Sequence, residues 1–151
     1  MSYLREIADS LADGLAAVSW SIQSTTVERK NWVAVDIEEL ATPRIYVTPG
    51  GATMSRVSRA TSQADYSVSV FIGRHVQTDA DVDGMIDLAD EVLLHIRAHD
   101  WGNAESWPEG VTSPMEVEVE LNPDDALNER NAWRAAVNVT YRVFLADALP
   151  E

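Results

Sequence analysis

From Trp133 to Leu145 every second residue is apolar: Trp133, Ala135, Val137, Val139, Tyr141, Val143 and Leu145 face one way for thirteen residues. A period of two over that length is a β-strand with one buried face. Such a strand needs strand neighbours on both sides and a layer to cover its apolar row. Two other segments share the pattern. Within an expected strand over residues 63–76, Tyr66, Val68, Val70 and Ile72 alternate with Ser67, Ser69, Phe71 and Gly73. Further on, Val117, Val119 and Leu121 alternate with Glu116, Glu118 and Glu120.

The covering layer comes from two segments with helical spacing. In residues 3–18, Leu4, Ile7, Leu11, Leu15 and Val18 recur every three or four positions, behind Ser2 as an N-cap. A second helix is expected over residues 79–99, with Val82, Met85, Ile86, Ala89, Leu93 and Ile96 as its apolar stripe. Thr26 to Glu28 suits a strand, residues 36–40 allow a single helical turn, and Arg44 to Thr48 is a short β-type run. Pro49-Gly50-Gly51 reads as a turn closing that run. Residues 52–61 then read as a loop or hairpin tip. The expected fold class is α+β, a mostly antiparallel sheet with both main helices packed on one face. One domain over residues 1–151 is expected, with flexible loops at about 49–62 and 101–115.

Composition narrows the function. The chain has 151 residues, 46% of them hydrophobic, and no cysteine. The last point excludes a disulfide framework, a thiolate zinc site and a cysteine nucleophile. No apolar run is long enough to span a membrane, and residues 1–18 lack the pattern of a signal peptide. An acidic soluble protein of the cytoplasm is therefore the expectation. The net charge of −14 is concentrated: residues 79–125 hold 14 acids against Arg97 alone. That block opposes sequence-independent DNA or RNA binding. It reads either as a solvated face or as a surface that repels a polyanion or docks a basic partner.

Several motifs carry possible chemistry. Asp79, Asp81, Asp83, Asp87 and Asp90 nearly fit the spacing of a calcium loop, although a strand precedes them where that loop needs a helix. The competing reading is a helix start capped by Thr78, with Asp81 three residues on. Glu91, His95 and His99 share one helical face and could in principle approach zinc. Enzyme signatures are missing: there is no nucleophile elbow, no dinucleotide fingerprint and no phosphate-cradling loop. No catalytic residue or cofactor is expected. Trp101 and Trp107 sit in a Gly/Pro-rich loop, and Trp107 is an interface candidate. Arg56 and Arg59 suit a contact with an acidic neighbour.

Taken together, the order of elements resembles the tail terminator, or tail completion, proteins of long-tailed bacteriophages. The resemblance runs through the opening helix, the Asp-Ile-Glu-Glu-Leu element at 36–40 and the segment from Pro43 to Gly51. It continues through the strand ending at Val76, the helix from Val82 to His95 and the long strand from Trp133 to Leu145. It implies a structural virion protein that forms a hexameric ring on the tail tube and ends tube polymerisation. It also implies docking to the head connector and neck proteins, with DNA only as cargo passing through the channel. Assembly in the host cytoplasm is implied, and no membrane. Other neck or head-completion proteins share parts of the layout. A small calcium-binding module built on the aspartates is the alternative from a different class. On the terminator reading Glu116, Glu118 and Glu120 face the channel or a basic partner, and the 50–62 segment with Arg56 and Arg59 meets a neighbour.

Overall fold

The computed structural model describes residues 3–31, 40–98, 114, 116–121 and 132–146. The elements are α1 (Tyr3–Ala16), β1 (Thr26–Arg29), β2 (Arg44–Arg56), β3 (Thr61–His75), α2 (Asp79–Ala98), β4 (Glu116–Leu121) and β5 (Ala132–Ala146). They form one sheet in the order β1-β2-β3-β5-β4. All neighbours are antiparallel except β1 and β2, which run parallel from Thr26↔Arg44 to Arg29↔Val47. The chain between those two strands is long enough to cross back, which a parallel pair requires. The α+β class is as expected, with that one parallel pair inside a mostly antiparallel sheet.

Both helices cover the same face. The alternating rows of β3 and β5 point toward them: Val68, Val70, Ile72, Val137, Val139 and Tyr141 are buried with Ile7, Leu11 and Leu15 of α1 and Met85, Leu88, Val92 and Ile96 of α2. α1 lies over the β1–β2–β3 side, and α2 over β3, β5 and β4. Burial of these side chains is the principal source of stability, at about 1.5–3 kcal/mol for each large one. α1 stops at Ala16 and not at Val18. Ala17 and Val18 donate instead to Gly14 and Leu15 in a tightened last turn.

Two expectations are corrected by the ladder. The first is the turn at Pro49-Gly50-Gly51, which is strand. β2 continues through it to Arg56, and the chain reverses at 57–60, where Val57 and Ser58 donate to the Thr61 carbonyl. Pairing shifts between Pro49 and Gly51, so one extra residue is bulged out. Before it, Ile45 and Val47 pair with Ile72 and Val70 on the helix side; after it, Ala52 and Met54 pair with Tyr66 and Ala64 on that same side. The Pro-Gly-Gly turn signal is overridden because a bulge uses the same residue types. Pro49 cannot donate, and it lies just past the end of β1, where β2 becomes an edge among the described residues.

The second correction concerns the stripe of α2. Met85, Leu88, Ala89, Val92 and Ile96 are buried, whereas Ile86 is 39% exposed. The helix is apolar on more than its buried face, so spacing alone selects a stripe turned partly outward.

Gly50 and Gly51 make a contrasting pair. A Cβ on Gly50 would stand 2.9 Å from the Ser67 carbonyl oxygen, a backbone atom that cannot swing away, while a Cβ on Gly51 would meet nothing within 4 Å. Gly50→Ala is expected to cost about 1–3 kcal/mol in urea unfolding, and Gly51→Ala to stay within about 0.5 kcal/mol of wild type. Equal effects would remove the bulge as the explanation of the close approach.

Candidate functional site

The face of the sheet opposite α1 and α2 spans all five strands and mixes polar side chains with Tyr46, Phe71 and Ala136, of which Tyr46 and Ala136 are buried. Cross-strand partners share a face, so each row can be read from the register. One row runs Glu28, Tyr46, Phe71, Ala136, Glu120; the next holds Thr48, Ser69, Asn138, Glu118; the next ends in Thr140 and Glu116. Gly73 lies on this face, with Leu40 packed so closely that a Cβ there would be 3.3 Å from its Cδ2.

Four bases on this face are engaged. Arg44 donates to Glu28 at 3.1 Å. The Lys30 ammonium lies 4.5 Å from the Tyr46 ring centre, and the Arg134 guanidinium 4.5 Å from that of Phe71. Arg142 donates to both oxygens of Asp65, at 2.8 and 3.1 Å. This forked hydrogen bond holds the Asp65 carboxyl below its ordinary range. Ser69 Oγ donates to Asn138 at 3.0 Å and joins the two central strands.

The three glutamates of β4 differ. They are exposed, and their partners across the ladder are Thr140, Asn138 and Ala136, none of them a base. Side chains two residues apart on a strand are about 7 Å apart. Like charges at that distance in water repel by about 0.6 kcal/mol. The exposed row therefore costs the fold little, and none of its three ladder partners carries an opposite charge.

The other sequence candidates fall elsewhere. Asp79, Asp81, Asp83, Asp87 and Asp90 all lie on α2, a continuous helix, and not on a loop wrapped around one centre. Thr78 caps it: Asp81 N–H donates to Thr78 Oγ1 at 3.2 Å, and Asp81 Oδ2 accepts from Gln77 N–H at 3.1 Å. The backbone hydrogen bond from Gln77 chiefly keeps the Asp81 carboxyl below its usual range, helped by Arg74 and Thr78. The calcium-loop geometry is thus replaced by a capping box. Both oxygens of Glu91 accept from Ser21, from N–H at 3.0 Å and from Oγ at 2.6 Å. His95 meets Trp20 edge-on, with ring centres 5.9 Å apart. Glu91 and His95 thus tie α2 to the segment after α1, and among the described residues no three His, Asp or Glu stand together as metal ligands. His99, Trp101 and Trp107 lie outside the described residues. Arg56 ends β2 and Arg59 lies in the following reversal, both exposed.

Spacing did not reveal a shallow groove between α2 and β4. Its hollows, roughly 420 and 310 Å³, are lined by Leu93 and Leu94 with Val117, and by Ile86 and Asp90 with Val119 and Leu121. Outward-facing Leu94 and Ile86 were the available signal, with Ile86 assigned to the apolar stripe and Leu94 left outside it. No described helix is long and apolar enough to cross a membrane.

No family model matches the sequence, and no curated protein matches it. Among solved structures, a chain of the "virion of native gene transfer agent (GTA) particle" aligns over 93% of this chain and 94% of its own length, with a TM-score of 0.47 and 8% identity.

Two outcomes test this reading of the charged groups. Thr78→Ala is expected to cost about 1 kcal/mol as a lost cap, equally in calcium and in chelator, and wild type is expected to melt at one temperature in both. A calcium-dependent rise in melting temperature would restore the metal reading. Because Asp65 is held below its ordinary range when folded, its contribution is full above the unfolded carboxylate range and is lost as pH falls through the folded value. The melting-temperature gap between wild type and Asp65→Asn should therefore be widest near neutral pH and close on acidification. A gap constant with pH would contradict the pairing.

Proposed function

We propose that the chain is a structural virion protein of the tail terminator kind, assembling as a ring that caps the tail tube and joins it to the head connector. The observation that carries this reading is the sheet face turned away from α1 and α2, where Arg44, Lys30, Arg134 and Arg142 are engaged and the exposed Glu116, Glu118 and Glu120 line one edge with no base among their ladder partners. A channel crossed by DNA must not hold phosphates, and a carboxylate row opposes adhesion by like-charge repulsion. The opening helix, the strand ending near Val76, the second helix and the long last strand that suggested the resemblance are present; residues 36–39 lie outside the described residues, and the turn at Pro49-Gly50-Gly51 is a bulged strand. On this reading the protein acts by assembly and not by turnover, in the tail or neck of the particle, with the tube protein and connector proteins as partners.

The test is disruption of the gene in the phage-like genome that encodes it. Overlong tails and unjoined heads, seen by negative-stain electron microscopy and rescued by the gene in trans, are expected. Particles with joined tails of normal length would overturn the proposal.

A further inference from the structure

We propose that the β2–β3 hairpin tip of one copy docks into the α2/β4 groove of a second copy, so that the chain assembles head to tail. This deepens the ring reading above and rests on it for its biological setting.

The two surfaces are complementary in both charge and apolarity. Residues 40–64 contain no acid, and the tip carries Arg56 and Arg59 beside Met54 and Val57, which are 61% and 56% exposed. The groove presents Leu94 and Leu121, 56% and 48% exposed, with Ile86 beside them. Among the described residues Asp87, Asp90 and Glu116 line it with one base, Arg97. Exposed apolar side chains rimmed by charge mark an interaction surface. Opposite charge on the rims sets orientation and speeds encounter.

A chain cannot fill its own groove. β4 pairs with β5 only between Ala135 and Thr140, whereas the hairpin accompanies β5 to Ala146. The tip therefore stands about 20 Å further along the strands, and β3 and β5 separate β2 from β4. Two unlike patches on one molecule that cannot meet internally give a heterologous contact, which closes into a ring where the rotation allows.

The test is reciprocal charge exchange, read by sedimentation velocity over a concentration series. R56E/R59E and D87K/D90K are each expected to weaken self-association by roughly tenfold or more. An equimolar mixture should restore it, because the acidic tip of one variant meets the basic groove of the other. The circular dichroism of each variant guards against simple misfolding. As a second measure, R59C/D90C in this cysteine-free chain should give a ladder of thiol-crosslinked species with a short bis-maleimide, where each single variant stops at dimers. A wild type that stays monomeric, or a mixture no better than its parts, or a double variant without a ladder overturns the contact. Rings seen by electron microscopy without reciprocal rescue would remove this contact and leave the virion reading. Rescue alongside normal tails in the disrupted phage would do the reverse.

Discussion

Every other element takes its place from the pairing of β3 with β5. The two strands are matched without a break from Thr61↔Ala146 to His75↔Ala132, and both carry their apolar residues on the same alternate positions. Val68 lies against Val139, Val70 against Val137 and Ile72 against Ala135. A slip of one residue would send an entire apolar row to the wrong face, so the register is fixed by burial as well as by hydrogen bonds. The row these strands present is too long for one helix. α1 takes the β2 side and α2 the β4 side, and the Glu91–Ser21 and His95–Trp20 contacts bring the two halves of the layer together.

The bulge at Gly50 lets the hairpin grow past that core without losing its sidedness. Before the bulge the odd-numbered residues of β2 pair with the helix-side row of β3; after it, the even-numbered residues do. The same bulge increases local twist, at the point where β1 has ended and β2 continues without it. A turn at 49–51 would have left the basic residues beside the core. Extension to Arg56 instead carries them to the end of a projecting arm.

The parts of the fold legible in the sequence were those where local pattern and tertiary burial agree. The stripes of β3 and β5, the bounds of α2 within a residue and the Thr78–Asp81 cap are of this kind. Pro49-Gly50-Gly51 was misread because turn and bulge draw on the same residues, and only the partner strand distinguishes them. The stripe of α2 was turned because Ile86, Leu93 and Leu94 add an apolar flank that no rule of spacing separates from the core. The parallel placement of β1 depends on a crossover whose direction leaves no local trace. The acidity of β4 could be read directly. The bareness of its partners could not, since Thr140, Asn138 and Ala136 come opposite it only through the ladder.

A net charge of −14 makes association of identical copies unfavourable unless the charge is segregated. This chain segregates it: the acid-free stretch 40–64 forms β2, the tip and the start of β3, while α2 and β4 lie within the acidic block. Copies approaching groove to groove meet like charge, while the approach of tip to groove meets opposite charge. The repulsion that disfavours random aggregation thus selects one orientation on the proposed contact. Salt would screen that selection at distances beyond about 8–10 Å. The apolar side chains at tip and groove supply the part of the attraction that salt leaves intact. The division of labour follows from where the sequence puts its acids: the β3–β5 ladder needs none on its buried face, so they are free to collect on the elements at one edge of the sheet.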